Sequence, residues 1–275
     1  MRKIQVACVQ MRSGKGIDAN IADASELIRK AAAGGAQLIV TPEMTSLLDK
    51  APGATFAASI AEDEDRALQA FRSLAKDVGA WLVIGSLPIR VSDTRCANRQ
   101  FLISPDGEVV ARYDKIHMFD VQLNEGNIYR ESRDYAPGDK LVVAETPLGK
   151  IGMTICYDVR FPHLHRDLAK AGAEILTGPA AFTKITGEAH WHPLLRARAI
   201  ETGCFMIAAA QGGRHEDGRE TFGHSLIIGP WGEILAEGGT DPGVVSAEID
   251  LDEVSKARRK IPALEHDRPY TLTHV

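Results

Sequence analysis

The sequence predicts an α/β protein of four layers, an α-β-β-α sandwich made from two similar halves. Two observations carry this. Apolar, β-rich runs alternate with amphipathic helical stretches along the whole chain. Segments of the first half also recur in the second, in the same order. AGGAQLIVTPEM (33–44) is echoed by AKAGAEILTGPAAF (169–182), GAWLVIGSLPIR (79–90) by GCFMIAAAQGGR (203–214), and FLISPDGEVVARY (101–113) by SLIIGPWGEILAEG (225–238). A unit of helix, strand, helix, strand and hairpin that occurs twice is most economically packed as two stacked sheets with the helices outside. No linker or low-complexity stretch divides the halves, so residues 1–275 are expected to form one domain.

Taken in order, strands are expected near 4–10, 38–41, 81–86, 100–104 and 109–114, where β-branched and aromatic residues cluster. Later ones are expected near 141–145, 150–156, 174–178, 204–210, 225–228, 233–236 and 243–249. Helix 19–33 has apolar residues at helical spacing, with Asp18 as its expected N-cap. Helix 62–78 ends at Gly79. Helix 162–170 opens on Pro162, a permitted first-turn position, and stops before Gly172. Helix 187–202 ends at Gly203.

The 275 residues suffice for a sizeable core. A net charge of −5 gives no reason to expect nucleic acid or an anionic membrane as partner. No apolar run reaches the roughly 18–20 residues of a membrane span, and the start MRKIQVACVQ lacks the features of an export signal. A cytoplasmic location is expected, with Cys8, Cys96, Cys156 and Cys204 as free thiols.

Chemistry concentrates in KIGMTICYDVRFPHLHRDL. An apolar strand runs into Cys156, Tyr157 and Asp158 turn, and a helix starts near Pro162. A thiol at such a turn is presented at a sheet edge. The nearby helix N-terminus is expected to favour its thiolate. Cys8, Cys96 and Cys204 sit in apolar surroundings and read as core residues. Glu43 ends the run LIVTPE, where the twin segment carries Ala180, so a carboxylate was placed in one half only. Partly desolvated, it is expected to have a raised pKa and to exchange protons near neutrality. Lys115 ends the first-half hairpin and offers a point charge for a developing oxyanion. A cysteine–histidine dyad stays open on composition, since no spacing selects one of the nine histidines. No GxSxG elbow occurs. His163/His165 and His190/His192 are HxH pairs, but residues i and i+2 of a helix do not share a face, so no metal or other cofactor is expected.

With these residues identified, the chain resembles the nitrilase superfamily of carbon–nitrogen hydrolases. TPEM around Glu43, RYDKIHMFD around Lys115 and GMTICYDVRFP around Cys156 match its Glu–Lys–Cys triad in chain order, and the likeness spans essentially the whole chain. The resemblance implies the four-layer sandwich, a homodimer, and hydrolysis of a small amide through a cysteine thioester. It also implies a second glutamate, Glu131, beside the lysine, and Phe182 and Thr186 lining the pocket. Glu43 would act as base and acid. Lys115 and the backbone N–H of Tyr157 would hold the oxyanion, and Arg160 would bind a substrate carboxylate. Within the family the chain is most similar to omega-amidases and to amidases of deaminated glutathione. AAAQGGRHE and TFGHSLIIGPWGEI favour the latter. Omega-amidase activity, nitrile hydrolysis, aliphatic amide hydrolysis and N-carbamoyl amine hydrolysis are the alternatives. The segment 121–129, VQLNEGNIY, departs from both branches and is expected to be a rim loop.

Overall fold

A computed structural model describes residues 2–274. The elements of the first half are β1 (Lys3–Gln10), α1 (Ile17–Ala33), β2 (Leu38–Val40), a short α2 (Ala54–Ala58), α3 (Arg66–Val78), β3 (Trp81–Arg90), β4 (Cys96–Ile103) and β5 (Val109–Asp114). A hairpin follows, β6 (Asp120–Asn124) and β7 (Asn127–Arg130). The second half has β8 (Val143–Thr146), β9 (Gly149–Met153), α4 (Pro162–Lys170), β10 (Ile175–Thr177), α5 (Lys184–Thr202) and β11 (Phe205–Ala208). A small ribbon of β12 (Gly212–Arg214) and β13 (Glu220–Phe222) precedes β14 (Leu226–Ile228), β15 (Ile234–Glu237), β16 (Gly243–Asp250) and α6 (Asp252–Lys260).

The strands form two six-stranded sheets, ordered β16-β1-β2-β3-β4-β5 and β8-β9-β10-β11-β14-β15. The two orders superpose strand for strand. In each, three central parallel strands are flanked by an antiparallel strand on one side and an antiparallel pair on the other. The echoes in the sequence are therefore equivalent positions of a repeated unit.

Between the sheets, Val6, Cys8, Val40 and Val83 meet Ile151, Met153, Ile175 and Ile207 in one buried cluster. A second cluster packs the first sheet against α1 and α3 through Ile28, Phe71 and Leu74. A third packs the second sheet against α4 and α5 through Leu168, Trp191 and Leu195. These three apolar interfaces make four layers, each side chain contributing roughly 1.5–3 kcal/mol by burial.

Three local expectations change. α1 begins at Ile17 with Gly16 as N-cap, and Asp18 lies inside the first turn, 2.9 Å from Arg66, where its charge still favours the helix N-terminus. The segment 62–78 is not one helix. Glu62–Glu64 forms a 3-10 turn, and Asp65 restarts the chain as α3 by accepting the Leu68 N–H at 2.8 Å. Glu62 is drawn away to bridge Arg99 and Arg112. The segment 121–129 is a β-hairpin rather than a loop. Among the described residues no helix is long and apolar enough to cross a membrane.

Candidate active site

Glu43 lies just beyond β2, on a loop crossing the end of the first sheet. Gly85 lets this loop pass: a Cβ there would lie 2.2 Å from the Thr41 carbonyl oxygen. The loop turns through Met44, whose φ of 60° is unusual for a non-glycine residue. Ser86 Oγ accepts the Met44 N–H at 2.9 Å, and Gln211, from the other half, donates to the carbonyls of Glu43 and Met44 at 3.1 and 3.2 Å. Both halves thus fix the loop.

Lys115 follows β5 and is 2% exposed, while Glu43 is 3% exposed. Lys115 Nζ donates to Glu43 Oε1 at 2.9 Å and to both oxygens of Glu131 at 2.9 and 2.8 Å. Glu131 stands in the 3-10 turn after β7, and its Oε2 also accepts the Phe119 N–H at 2.6 Å. Asn98 on β4 donates to both glutamates, at 2.9 and 3.1 Å. The second oxygen of Glu43 accepts the Ala181 N–H at 2.9 Å. The carboxylate therefore reaches across to the residue after its own counterpart in the repeat, Ala180. One ammonium is thus shared between two carboxyl groups.

Cys156 closes the cluster. β9 ends at Met153, and the thiol opens a 3-10 turn, Cys156–Arg160, that leads to α4. Its φ is 46°, a strained conformation held by the Cys156 N–H bond to the Pro179 carbonyl at 2.9 Å. Asp158, fully buried, organises the turn. Its Oδ2 accepts the Ile155 N–H at 2.9 Å and the Tyr113 hydroxyl at 2.7 Å. Its Oδ1 accepts the His117 N–H at 3.2 Å and sits 2.7 Å from His117 Nδ1. Burial pushes the Tyr113 hydroxyl up, and the neighbouring Asp158 charge adds to this, so the phenol remains a proton donor.

The Cys156 thiol interacts electrostatically with Glu43 and Lys115. Burial, reinforced by the Glu43 charge, pushes the thiol well above its usual range, although Lys115 opposes this. For Glu43, burial acts upward, but attraction to Lys115 and the hydrogen bonds from Lys115 and Ala181 outweigh it and hold the carboxyl low. Burial acts to lower Lys115, but Glu131 and Glu43 raise it well above normal. Two electrostatic expectations are overturned: Glu43 is lowered rather than raised, and the helix N-terminus does not make Cys156 a thiolate. The resting site holds an ionised Glu43, a lysinium and a neutral thiol, which is the arrangement for general-base activation of a nucleophile.

The cluster forms the floor of a cleft of about 680 Å3. Phe119, Tyr129 and Tyr157 line one side, with Phe119 5.1 Å from each of the other two rings. Phe182 and Thr186 line the other. Thr186 is buried, with its hydroxyl 2.8 Å from that of Thr183. Lys50, Arg130, Arg133, Lys184 and Arg219 also line the cleft, with Asp49, Asp134 and Glu220 among them. Arg219 Nε is buried without a hydrogen-bond partner among the described residues, Asp217 being 3.7 Å away.

Of the residues singled out in the sequence, Glu43, Lys115, Glu131, Cys156, Tyr157, Phe182 and Thr186 all line this cleft. Arg160 does not. Its guanidinium lies 5.4 Å from the Phe182 ring centroid and 5.9 Å from that of Tyr157, with its nitrogens 3.3 and 3.4 Å from His190 Nδ1. It backs the wall rather than forming it. Asn98, Asp158 and Gln211 escaped the sequence reading. Each acts through contacts with residues far away in the chain, and no local pattern marks them.

A model of the carbon–nitrogen hydrolase family matches residues 5–259. The deaminated glutathione amidase of Yersinia enterocolitica is 43% identical, over 98% of this chain and 94% of its own. That of Homo sapiens is 41% identical, over 96% and 82%. Among solved structures, the C. elegans NitFhit protein has a TM-score of 0.89 at 33% identity, matching 97% of this chain and 65% of its own. A Saccharomyces cerevisiae member of branch 10 of the nitrilase superfamily has a TM-score of 0.86 at 28% identity, matching 96% of both chains.

Proposed function

The chain belongs to the carbon–nitrogen hydrolase family and hydrolyses carbon–nitrogen bonds of amides, and we propose that its substrate is deaminated glutathione, cleaved through a thioester on Cys156. The observation that carries the mechanism is the cluster in which Glu43 bonds Lys115 and shares one cleft with Cys156.

Glu43 takes the thiol proton as Cys156 Sγ attacks the amide carbonyl carbon. The carbonyl oxygen becomes an oxyanion, held by Lys115 and the backbone N–H of Tyr157; one such donor is worth about 3 kcal/mol. Glu43 returns the proton to the departing amine, which leaves the acyl thioester. Water then attacks the thioester carbonyl while Glu43 takes its proton. The acid is released, and the proton goes back to Cys156. Glu131 and Asn98 keep Lys115 and Glu43 in register. This sequence asks nothing of a metal or organic cofactor.

Two things support the substrate. The relatives of 41–43% identity carry that activity in their names. Deaminated glutathione also has a carboxylate at each end, and the cleft presents Lys50, Arg133, Lys184 and the incompletely partnered Arg219. Phe182 would wall the acyl chain, and Thr186 would bond its keto or carboxylate group. Arg160, behind Phe182 and Tyr157, would hold these rings in place. Arg160→Ala is expected to raise KM for a 2-oxo acid amide; an unchanged KM removes Arg160 from substrate binding. The enzyme would work as a cytoplasmic homodimer clearing misformed amides, and sedimentation of the purified protein tests the dimer.

Product analysis tests the whole reading. Cysteinylglycine and 2-oxoglutarate should appear in equal amounts, with one oxygen of the new carboxylate drawn from isotopically labelled water. Cys156→Ala should release neither. Release of glycine instead would mean that the other amide breaks.

A further inference from the structure

A second convergence of ligand-bearing side chains lies apart from the cleft floor. His192 on α5, His224 just before β14 and Glu237 at the end of β15 place two imidazole nitrogens and a carboxylate oxygen within 4.8 Å of one another. His192 Nε2 is 2.9 Å, and His224 Nδ1 2.8 Å, from the same atom, Glu237 Oε1. The backbone sets this meeting. Glu237 pairs with Leu226 across the β14–β15 ladder, and the His224 N–H donates to the Gly239 carbonyl at 2.7 Å. Phe222 orients both rings, stacking on His224 with centroids 4.4 Å apart and meeting His192 edge-on at 5.9 Å.

His224 has a φ of 54°. Among the described residues only two other non-glycine residues have positive φ, Met44 and Cys156, and both flank the active site. Conformations of this kind persist where the surroundings enforce them, and they cluster at sites of function. The third one carries an imidazole aimed at a second imidazole and a carboxylate.

We infer that His192, His224 and Glu237 form a binding site for a borderline divalent transition metal ion, zinc fitting best. Two imidazole nitrogens converge on a single carboxylate oxygen, Glu237 Oε1. The three donor atoms lie close enough together for one ion to gather them. Ligands at about 2.0–2.2 Å in a tetrahedron stand roughly 3.3 Å apart. Two neutral imidazoles and one carboxylate suit zinc and its neighbours, whereas calcium and magnesium prefer oxygen alone. The side chains are 30%, 29% and 36% exposed, so an ion can enter and water can fill the fourth position.

The two histidines of the HxH pair diverge: His190 lies 3.4 Å from Arg160. His192 finds its partners in distant segments, which spacing along the chain cannot reveal. The ion would tie α5 to the β14–β15 hairpin. It would sit beside the cleft wall, because the Phe222 N–H donates to the Phe182 carbonyl at 2.9 Å. It acts as a staple, away from the reacting atoms.

The test uses untagged full-length protein carrying Cys156→Ser, so that the nucleophile cannot itself take the metal. Zinc sulfate is titrated by calorimetry, and cobalt(II) is followed by absorption. One zinc per chain is expected, with cobalt bands of a four-coordinate site lacking thiolate charge transfer. His192→Gln and Glu237→Gln, on different elements, should each weaken zinc binding by at least about 10- to 100-fold. Zinc should raise Tm of the parent and not of the variants. Absence of zinc binding, or binding of equal strength in both variants, overturns the site.

Discussion

At the residue scale, the account turns on the charge state of Glu43. A carboxylate held low by Lys115 stays ionised through the ordinary glutamate range, near pH 4.3, and loses its charge only below it. As a base it is competent over that whole span. The acid limb of kcat/KM should therefore lie below about pH 4.3, and a limb near neutrality would contradict the assignment. The same shift contributes stability that is present above the unfolded value and lost as pH falls through the folded one. Cys156 is raised, so the resting enzyme should show no ultraviolet thiolate absorption at neutral pH. Glu43→Gln should lower kcat by about 10²- to 10⁴-fold. Asp158 is the clearest positioning residue. Asp158→Asn turns one of the two acceptor oxygens into an amide donor, which then faces either Tyr113 and Ile155 or His117. A loss of about 2–3 kcal/mol in stability is expected, with kcat falling more than KM. Glu43, Lys115 and Cys156 were legible because each ends or follows a recognisable strand and has a motif around it. Asp158 sat in plain view beside Cys156, but its partners Tyr113 and His117 lie more than forty residues away.

At the scale of elements, the β6–β7 hairpin contributes Ile128, Tyr129 and Arg130 to the cleft. Phe119 leads into it, and Tyr129 on β7 lines the cleft with Phe119 and Tyr157. On the proposed reading, the leaving-group half of a long substrate would lie against this hairpin. Tyr129→Ala should raise KM for deaminated glutathione by about tenfold, the worth of one buried aromatic contact. The shorter 2-oxoglutaramate should be affected less. Equal effects on both would place the hairpin against the acyl half instead. Signals for the hairpin were present in the sequence: polar and apolar residues alternate in VQLNEGNIY, and Asn-Glu-Gly-Asn is a turn. The alternation spans only a few residues on each side of the turn, too short to distinguish a hairpin from a loop. The broken helix at 62–65 is a different failure, because the helical period runs through it and only the competition of Arg99 and Arg112 for Glu62 interrupts it.

At the scale of the molecule, duplication explains why the active site lies where it does. The two sheets carry the same strand order, and each half sends a loop from the end of its second central strand toward the other. In one half that loop carries Glu43. In the other it carries Ala180 and Ala181, whose backbone N–H binds the Glu43 carboxylate. On the proposed mechanism, one copy of the repeat supplies the acid–base group and the other its cradle. The echoing segments made this architecture readable before any coordinates, since a repeated helix–strand unit has few ways to bury both sheets. What the echoes could not convey is the inter-half contacts, such as Gln211 on the Glu43 loop. The central claim is that this architecture serves cleavage of deaminated glutathione by Cys156. The most direct measurement is kcat/KM for deaminated glutathione and for 2-oxoglutaramate side by side, with Cys156→Ala as the blank. The account predicts a much higher value for deaminated glutathione and none for the variant. A higher value for 2-oxoglutaramate would make this an omega-amidase, and undiminished turnover by Cys156→Ala would contradict the mechanism itself.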